Sequence, residues 1–173
     1  MVLFDTFDIR VVSTDVGKLF IKELFALLEE MKPCLLDKEK AKIEITVEKG
    51  RECISVILPH KENGKFNLSI DFGDRESIVY FADSHFHIDG YDDKERIDDI
   101  INILAKIMGS LIEVHTFYKG KKLINTKSYF VSKSGELELF QDSIFTFNYL
   151  LYLNPFLKKR KDIEQVQFFL LKV

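Results

Sequence analysis

The sequence contains few of the residues that constrain a fold covalently. It has no tryptophan, three prolines and two cysteines among 173 residues. Cys34 and Cys53 form no CxxC pair and lack metal-site spacing, which argues against a disulfide framework and favours free thiols in a reducing compartment. The net charge is only −3. A general polyanion binder would show a basic excess, so we expect no direct contact with nucleic acid.

Long hydrophobic runs are also missing. No stretch reaches the roughly 18 uncharged apolar residues that a membrane span requires. The N-terminus carries Asp5 and Asp8 and lacks the basic start and apolar run of a signal peptide. We therefore predict a cytoplasmic protein with no membrane partner.

The residues that are present predict a single globular domain over residues 1–173. Hydrophobic residues make up 46% of the chain, and phenylalanine occurs 16 times, which is enough for a sizeable core. Helical spacing predicts helices over Asp15–Met31, capped by Thr14, and over Asp93–Met108. Hairpin-connected strands lie between and after them, so we predict an α+β fold, with an antiparallel sheet and two main helices packed on one face.

Alternation of apolar and polar residues predicts the strands. They are Phe4–Val12, Lys42–Glu48, Cys53–Pro59, Lys65–Asp71, Ser77–Asp89, Leu111–Tyr118 and Leu123–Val131. The pattern leaves Leu137–Leu153 open between a strand and a buried helix, and Asp162–Leu171 between a terminal strand and a short helix.

The most unusual segment is the end of the Ser77–Asp89 strand. In one continuous strand, Ile78, Tyr80, Ala82, Ser84, Phe86 and Ile88 would face inward, and Asp83, His85, His87 and Asp89 would face outward. Two histidines at positions i and i+2 stand roughly 7 Å apart, and imidazole is a preferred zinc ligand. The pair His85 and His87 is thus a candidate metal site; the alternative is a solvated or partner-contacting face.

No sequence motif indicates catalysis. The chain lacks GxSxG, HExxH, GxxxxGK[ST] and GxGxxG, and His60 and His115 lie in other strands without motif spacing. We therefore predict no catalytic residue and no cofactor. The alternative is a metal-dependent enzyme or metal-binding protein that holds zinc, iron or nickel at His85 and His87.

Charge is unevenly distributed along the chain. The segment from Asp83 to Asp99 has seven acidic residues against Lys94 and Arg96, a net charge of −5. Basic residues follow at Lys119, Lys121, Lys122, Lys127 and Lys158–Lys161. The acidic segment is either a solvated surface or a patch that attracts a basic partner. The candidate partner-binding residues are Asp83, His85, His87, Asp89, Tyr91, Asp92, Asp93, Glu95, Asp98 and Asp99.

The segment Phe81–Asp89 resembles the FGxxHxHF(D/E) strand of small bacterial immunity proteins from polymorphic-toxin and contact-dependent-inhibition systems. The similarity continues through a helix to the hairpin Tyr118–Ile124 and covers about a third of the chain. Ala82 stands where that motif has glycine. The resemblance implies a cytoplasmic protein that binds and blocks a cognate toxin domain and has no catalytic residues.

Two further hypotheses concern partners. If the toxin were a nuclease, its basic site could accept the acidic residues between Asp83 and Asp99. Alternatively, the chain is a structural subunit that self-associates through aromatic residues near its C-terminus. These are Phe140, Phe145, Phe147, Tyr149, Tyr152 and Phe156.

Overall fold

The computed structural model of the protein describes residues 7–90, 92–144 and 156–168. Helix α1 (Asp15–Met31) begins after Thr14, whose side-chain oxygen accepts a hydrogen bond from the Gly17 N–H at 3.1 Å. It ends at Lys32, which adopts a left-handed conformation typical of helix C-termini. Helix α2 spans Asp93–Gly109. The predicted bounds are confirmed to within one residue, and no helix of the described residues is long and apolar enough to span a bilayer.

The predicted α+β class with antiparallel sheets is confirmed, and the strands are distributed over two sheets. The first has the order β1-β2-β3-β4-β5, and the second has the order β8-β7-β6-β9. The strands are β1 (Lys42–Glu48), β2 (Arg51–Leu58), β3 (Leu68–Phe72), β4 (Glu76–Phe81), β5 (Ser84–Asp89), β6 (Leu111–Lys119), β7 (Lys122–Val131), β8 (Leu137–Ile144) and β9 (Lys159–Val166).

The described residues divide into two compact units. The first unit comprises those up to Gly109 together with Phe168, and the second comprises those within Ser110–Gln167. The first contains α1, α2 and β1–β5; the second contains β6–β9. One globular domain over residues 1–173 stays a prediction.

Both helices pack on one face of the first sheet, which we call the inner face. The Phe20 ring of α1 stacks on Phe72 of β3 with centroids 4.4 Å apart, and the Arg96 guanidinium of α2 lies 4.9 Å from the same ring. A Cβ atom at Gly17 would lie 2.8 Å from Ile54 Cδ1, so glycine lets α1 approach β2 closely. The inner-face residues are buried and apolar, as the core of a layered fold requires. They include Ile54, Val56, Leu58, Leu68, Ile70, Phe72, Val79 and Phe81.

The predicted strand Phe4–Val12 is wrong where the structure describes it. Residues Ile9–Val11 form a 3-10 turn, because the Asp8 carboxylate accepts a hydrogen bond from the Arg10 N–H at 3.0 Å. Such local bonds to aspartate compete with strand formation.

The predicted continuous strand Ser77–Asp89 is also wrong. It is the hairpin β4–β5, in which Phe81 pairs with Ser84 and Val79 with Phe86. Because of this two-residue turn, the residues of β4 that face inward are not those predicted for one continuous strand. Ile78 and Tyr80 therefore lie on the outer face, whereas Ser77, Val79 and Phe81 are buried.

The C-terminal segments are partly described. Of the alternatives for Leu137–Leu153, the described residues form strand β8, and residues 145–155 lie outside the described part. For Asp162–Leu171, the described residues belong mostly to strand β9. Of the aromatic residues proposed for self-association, the Phe140 ring stacks on Phe130 at 3.9 Å and Phe156 is 92% exposed. The others, Phe145, Phe147, Tyr149 and Tyr152, lie outside the described residues.

The β4–β5 turn places a strained residue beside the histidine pair. Ala82 has a φ of +53°, a left-handed conformation that costs a residue with a Cβ about 1–2 kcal/mol. Replacing Ala82 by glycine removes this penalty but adds conformational entropy to the unfolded chain. We expect a net increase of about 0.5 kcal/mol in the free energy of unfolding, measured by urea denaturation.

A matched substitution should have the opposite effect. Ala26 lies on the exposed face of α1, where glycine costs about 1 kcal/mol relative to alanine. A loss of stability in both Ala82→Gly and Ala26→Gly would contradict the assignment of strain to the turn.

Candidate partner-binding surface

The structure divides the predicted partner-binding residues between two sides of the first unit. His85, His87 and Asp89 are exposed on the outer face of β5, and Asp83 is exposed in the preceding turn. The acidic residues of α2 belong to the helix layer that covers the inner face. The two groups therefore lie on opposite sides of the sheet. Tyr91 lies outside the described residues.

The outer-face group contains a carboxylate that the sequence pattern did not single out. Nδ1 of His87 contacts the Oε1 atom of Glu76, which lies at the start of β4. The rings of His85 and His87 meet edge to face with centroids 4.8 Å apart. The register of the hairpin places Glu76 opposite Asp89. Its position beside the histidines could therefore be predicted from sequence only if the turn at Ala82 and Asp83 were recognised.

This outer-face arrangement brings two imidazoles and one carboxylate together. Across the described ranges, no group of three or more histidine, cysteine, aspartate or glutamate side chains is arranged to hold a metal ion. The described residues therefore provide no third ligand for the alternative prediction, a metal site at His85 and His87.

The first turns of α2 carry the other group. Two of the acidic residues there have basic partners: Lys94 Nζ lies 2.6 Å from Asp98, and the Arg96 guanidinium lies 2.8 Å from Asp93. The hydrogen bond that the Lys94 ammonium donates to Asp98 raises the pKa of Lys94.

Three acidic residues of this group form an exposed row. Asp92 immediately precedes α2, and Glu95 and Asp99 are four residues apart on one face of the helix. All three are exposed, and within the described part of the chain none of them forms an ion pair. We call Asp92, Glu95 and Asp99 the acidic row.

Local packing fixes the direction of the acidic row. A Cβ atom at Gly90 would lie 2.7 Å from the Arg96 Cβ and 3.0 Å from the Asp92 carbonyl oxygen. Only glycine therefore allows the end of β5 to approach the first turn of α2 so closely. Arg96 is only 2% exposed and packs on Phe72. This contact holds the first turns of α2, which carry the acidic row, against the sheet.

The start of α1 is held by a buried carboxylate that sequence patterns did not identify. Glu52 of β2 is 7% exposed. It accepts hydrogen bonds from the N–H and hydroxyl of Ser13, both at 2.6 Å, and from the Thr14 hydroxyl at 2.7 Å. Burial alone would raise the pKa of Glu52, but the hydrogen bonds from Ser13 and Thr14 outweigh it and lower the pKa. Glu52 is therefore ionised at neutral pH and links β2 to the helix N-terminus.

The half-buried thiol of Cys53 lies on the outer face of the same sheet. Burial raises the pKa of this thiol, and the negative charge of Asp71 raises it further. The thiol is therefore protonated at neutral pH, whereas a nucleophilic cysteine requires the thiolate.

The geometry thus offers an acidic helix surface and a separate histidine–glutamate group, each exposed and each suited to contact a macromolecule. Comparison of the chain with known protein families, with curated proteins and with solved structures gave no match.

Proposed function

We propose that this protein is an immunity-type inhibitor that binds and blocks a cognate bacterial toxin domain. The acidic row on α2 is the observation that carries the proposal. Exposed carboxylates that form no ion pair within the described residues present a negative potential to a basic partner, and such fields raise association rates. Basic surfaces are typical of toxins that act on nucleic acid, because they must hold phosphates.

The fold places this row where a partner can reach it. A protein–protein interface of standard size covers about 800 Å² on each side, so the contact would extend from the acidic row onto neighbouring exposed residues of the helix layer. The histidine pair lies on the other side of the sheet, so we assign the principal contact to α2. The left-handed backbone at Ala82 is compatible with the glycine that stands there in the motif the segment resembles.

The first experiment tests the function itself. The protein encoded by the adjacent reading frame is expressed in bacteria with and without this chain, and growth is measured. We expect growth arrest without the chain, rescue with it, and co-purification of the two proteins. A neighbouring product that is harmless, or toxicity that this chain leaves unchanged, would contradict the proposal.

The second experiment tests the acidic row. In the variant Asp92→Asn, Glu95→Gln, Asp99→Asn, we expect the association rate with the toxin domain to fall at least tenfold at low ionic strength. Surface plasmon resonance at several salt concentrations measures this, and the salt dependence should weaken as well.

A charge-matched control separates the local contact from net charge. Glu29, Glu30 and Glu62 are exposed residues of the same unit, and their replacement by glutamine removes the same three charges. We expect less than a twofold change for this control and for His85→Ala combined with His87→Ala. If the association rate falls equally in the acidic-row variant and in the control, the acidic row is not part of the interface.

A further inference from the structure

Strand β1 (Lys42–Glu48) is an edge of the first sheet that the proposed function does not use. Among the described strands it pairs with β2 alone. An open edge offers a row of backbone N–H and C=O groups to another strand. Prolines, bulges and inward-pointing charges, which commonly block such an edge, do not occur in β1, and its seven residues pair with β2 in one unbroken register.

The turn that follows β1 determines which backbone groups face the open edge. Lys49 and Gly50 have φ values of +52° and +78°, as the two residues of a type I′ hairpin turn do. Such a turn closes with a hydrogen-bonded pair, which here is Glu48 and Arg51. Hydrogen-bonded and non-hydrogen-bonded pairs alternate along an antiparallel ladder. The residues of β1 whose N–H and C=O groups point away from β2 are therefore Ile43, Ile45 and Val47.

The same three residues place apolar side chains beside the open edge. Ile43 and Ile45 are half-buried and Val47 is 65% exposed. They lie on the inner face, because Ile43 pairs with Val56 and Ile45 with Ile54. A strand that paired along β1 would therefore cover apolar surface as well as backbone polar groups.

The sequence of β1 is complementary to itself in the antiparallel direction. When two copies pair about Ile45, Lys42 lies opposite Glu48 of the second copy, and Ile43 lies opposite Val47 of the second copy. Two-fold symmetry repeats each of these pairs. The oppositely charged residues occupy non-hydrogen-bonded positions of the new ladder, where facing side chains come closest.

Charge also selects the register of this pairing. In the symmetric register Glu44 lies opposite Thr46 of the second copy, whose hydroxyl can donate a hydrogen bond to the carboxylate. A shift by two residues in either direction places Glu44 opposite Glu44 or Glu48 of the second copy, and like charges directly opposite each other are destabilising. Within one copy, Lys42 Nζ lies 2.7 Å from Glu44 Oε1 in an exposed ion pair. Exposed pairs contribute little, so Lys42 can also turn towards the opposite Glu48.

We propose that two copies of this protein form a dimer through β1, with the strands antiparallel and the two-fold axis at Ile45. The two five-stranded sheets then join into one continuous sheet whose helices lie on the same side. About six backbone hydrogen bonds connect the copies, and a two-fold contact of this kind is closed, so it stops at the dimer. The contact does not involve the acidic row, so this proposal is independent of the proposed function.

Sedimentation equilibrium of the full chain from about 1 µM to about 1 mM tests the dimer. We expect a reversible equilibrium between monomer and dimer with a Kd below about 100 µM. A chain that remains monomeric at the highest concentration, or that forms larger assemblies without a dimer, would overturn the proposal.

Charge reversal tests the paired strands. Lys42→Glu and Glu48→Lys each place like charges opposite each other twice in the dimer, so each should weaken it at least tenfold. An equimolar mixture of the two variants restores opposite charges at both positions and should dimerise with an affinity within threefold of the wild type. Glu30→Lys reverses an exposed charge on α1 and should change the affinity less than twofold. A mixture that dimerises no better than either variant alone would contradict the pairing.

Proline tests the backbone hydrogen bonds. The N–H of Val47 points to the open edge, so Val47→Pro removes a donor from the dimer and none from the ladder with β2. We expect a loss of at least tenfold in dimer affinity, whereas Val47→Thr keeps the N–H and should change it less than threefold. Circular dichroism checks that both variants are folded. If Val47→Pro and the two charge variants all dimerise like the wild type, the copies meet through another surface and the proposal is wrong.

Discussion

Replacing Phe20 by alanine is expected to lower the free energy of unfolding by about 4 kcal/mol. The Phe20 side chain is completely buried and stacks on Phe72 between α1 and the first sheet. Truncation removes the apolar area of the ring and leaves a cavity that its surroundings fill only in part. It also removes an aromatic pair whose stacking adds to the burial term. Urea denaturation followed by circular dichroism measures the loss.

The neighbouring residue provides the control. Leu19 is 37% exposed and lies on the same helix, so Leu19→Ala should cost less than about 1 kcal/mol. If Phe20→Ala does not fold, Phe20→Leu keeps most of the volume and should show an intermediate loss. Similar losses for Leu19→Ala and Phe20→Ala would mean that α1 packs on the sheet through a different face.

Replacing Glu52 by glutamine is expected to lower the free energy of unfolding by about 3 kcal/mol at neutral pH. The change keeps the shape of the side chain but removes the negative charge that Ser13 and Thr14 surround with hydrogen-bond donors. It also introduces an NH₂ group where an acceptor is needed, so some of the donors of Ser13 and Thr14 lose their hydrogen bond to residue 52. The start of α1 should loosen first, because its capping residue Thr14 is one of the partners.

The pH dependence of this loss gives an independent test. The pKa of Glu52 is lowered in the folded state, so its stabilising contribution is fully present above the ordinary carboxyl pKa and disappears as the pH falls through the folded-state value. The stability difference between the wild type and Glu52→Gln should therefore shrink below about pH 4. Glu48→Gln, at an exposed position of the same hairpin, should have little effect at any pH. If the stability difference between the wild type and Glu52→Gln stays constant from pH 7 to pH 3, the negative charge of Glu52 is not the cause of that difference.

The two helices could be predicted closely because their signals are local. Thr14 supplies a cap, and Pro33 stands just beyond the observed end of α1. In α2, acidic residues occupy the first turn and Gly109 ends the helix. Caps and helical spacing act within a few residues of each other, so they can be read from the chain without tertiary information.

The strand faces could not be predicted in the same way. The turn at Ala82 and Asp83 contains no glycine, asparagine or proline, so the chain from Ser77 to Asp89 reads as one strand. This single error inverted the predicted faces of Ile78 and Tyr80. Since alternate residues of a strand face opposite sides, a hidden two-residue turn has this effect.

The candidate site was predictable in composition but not in arrangement. The acidic excess between Asp83 and Asp99 is visible in the sequence. The histidines and the acidic row lie on opposite sides of the sheet because α2 packs on the inner face. Glu52 illustrates the same limit, because its partners Ser13 and Thr14 lie almost forty positions away and no local pattern connects them.

Among the described strands of the second sheet, β9 is an outermost one, and its charge affects how copies of this protein associate at high concentration. Strand β9 pairs with β6 on one side, and it begins with the exposed residues Lys159, Arg160 and Lys161. If further copies stacked in register along this border, each cation would lie about 4.8 Å from its equivalent. Fibrillar growth along β9 is therefore opposed by like-charge repulsion, and this protection fades as added salt screens the charges.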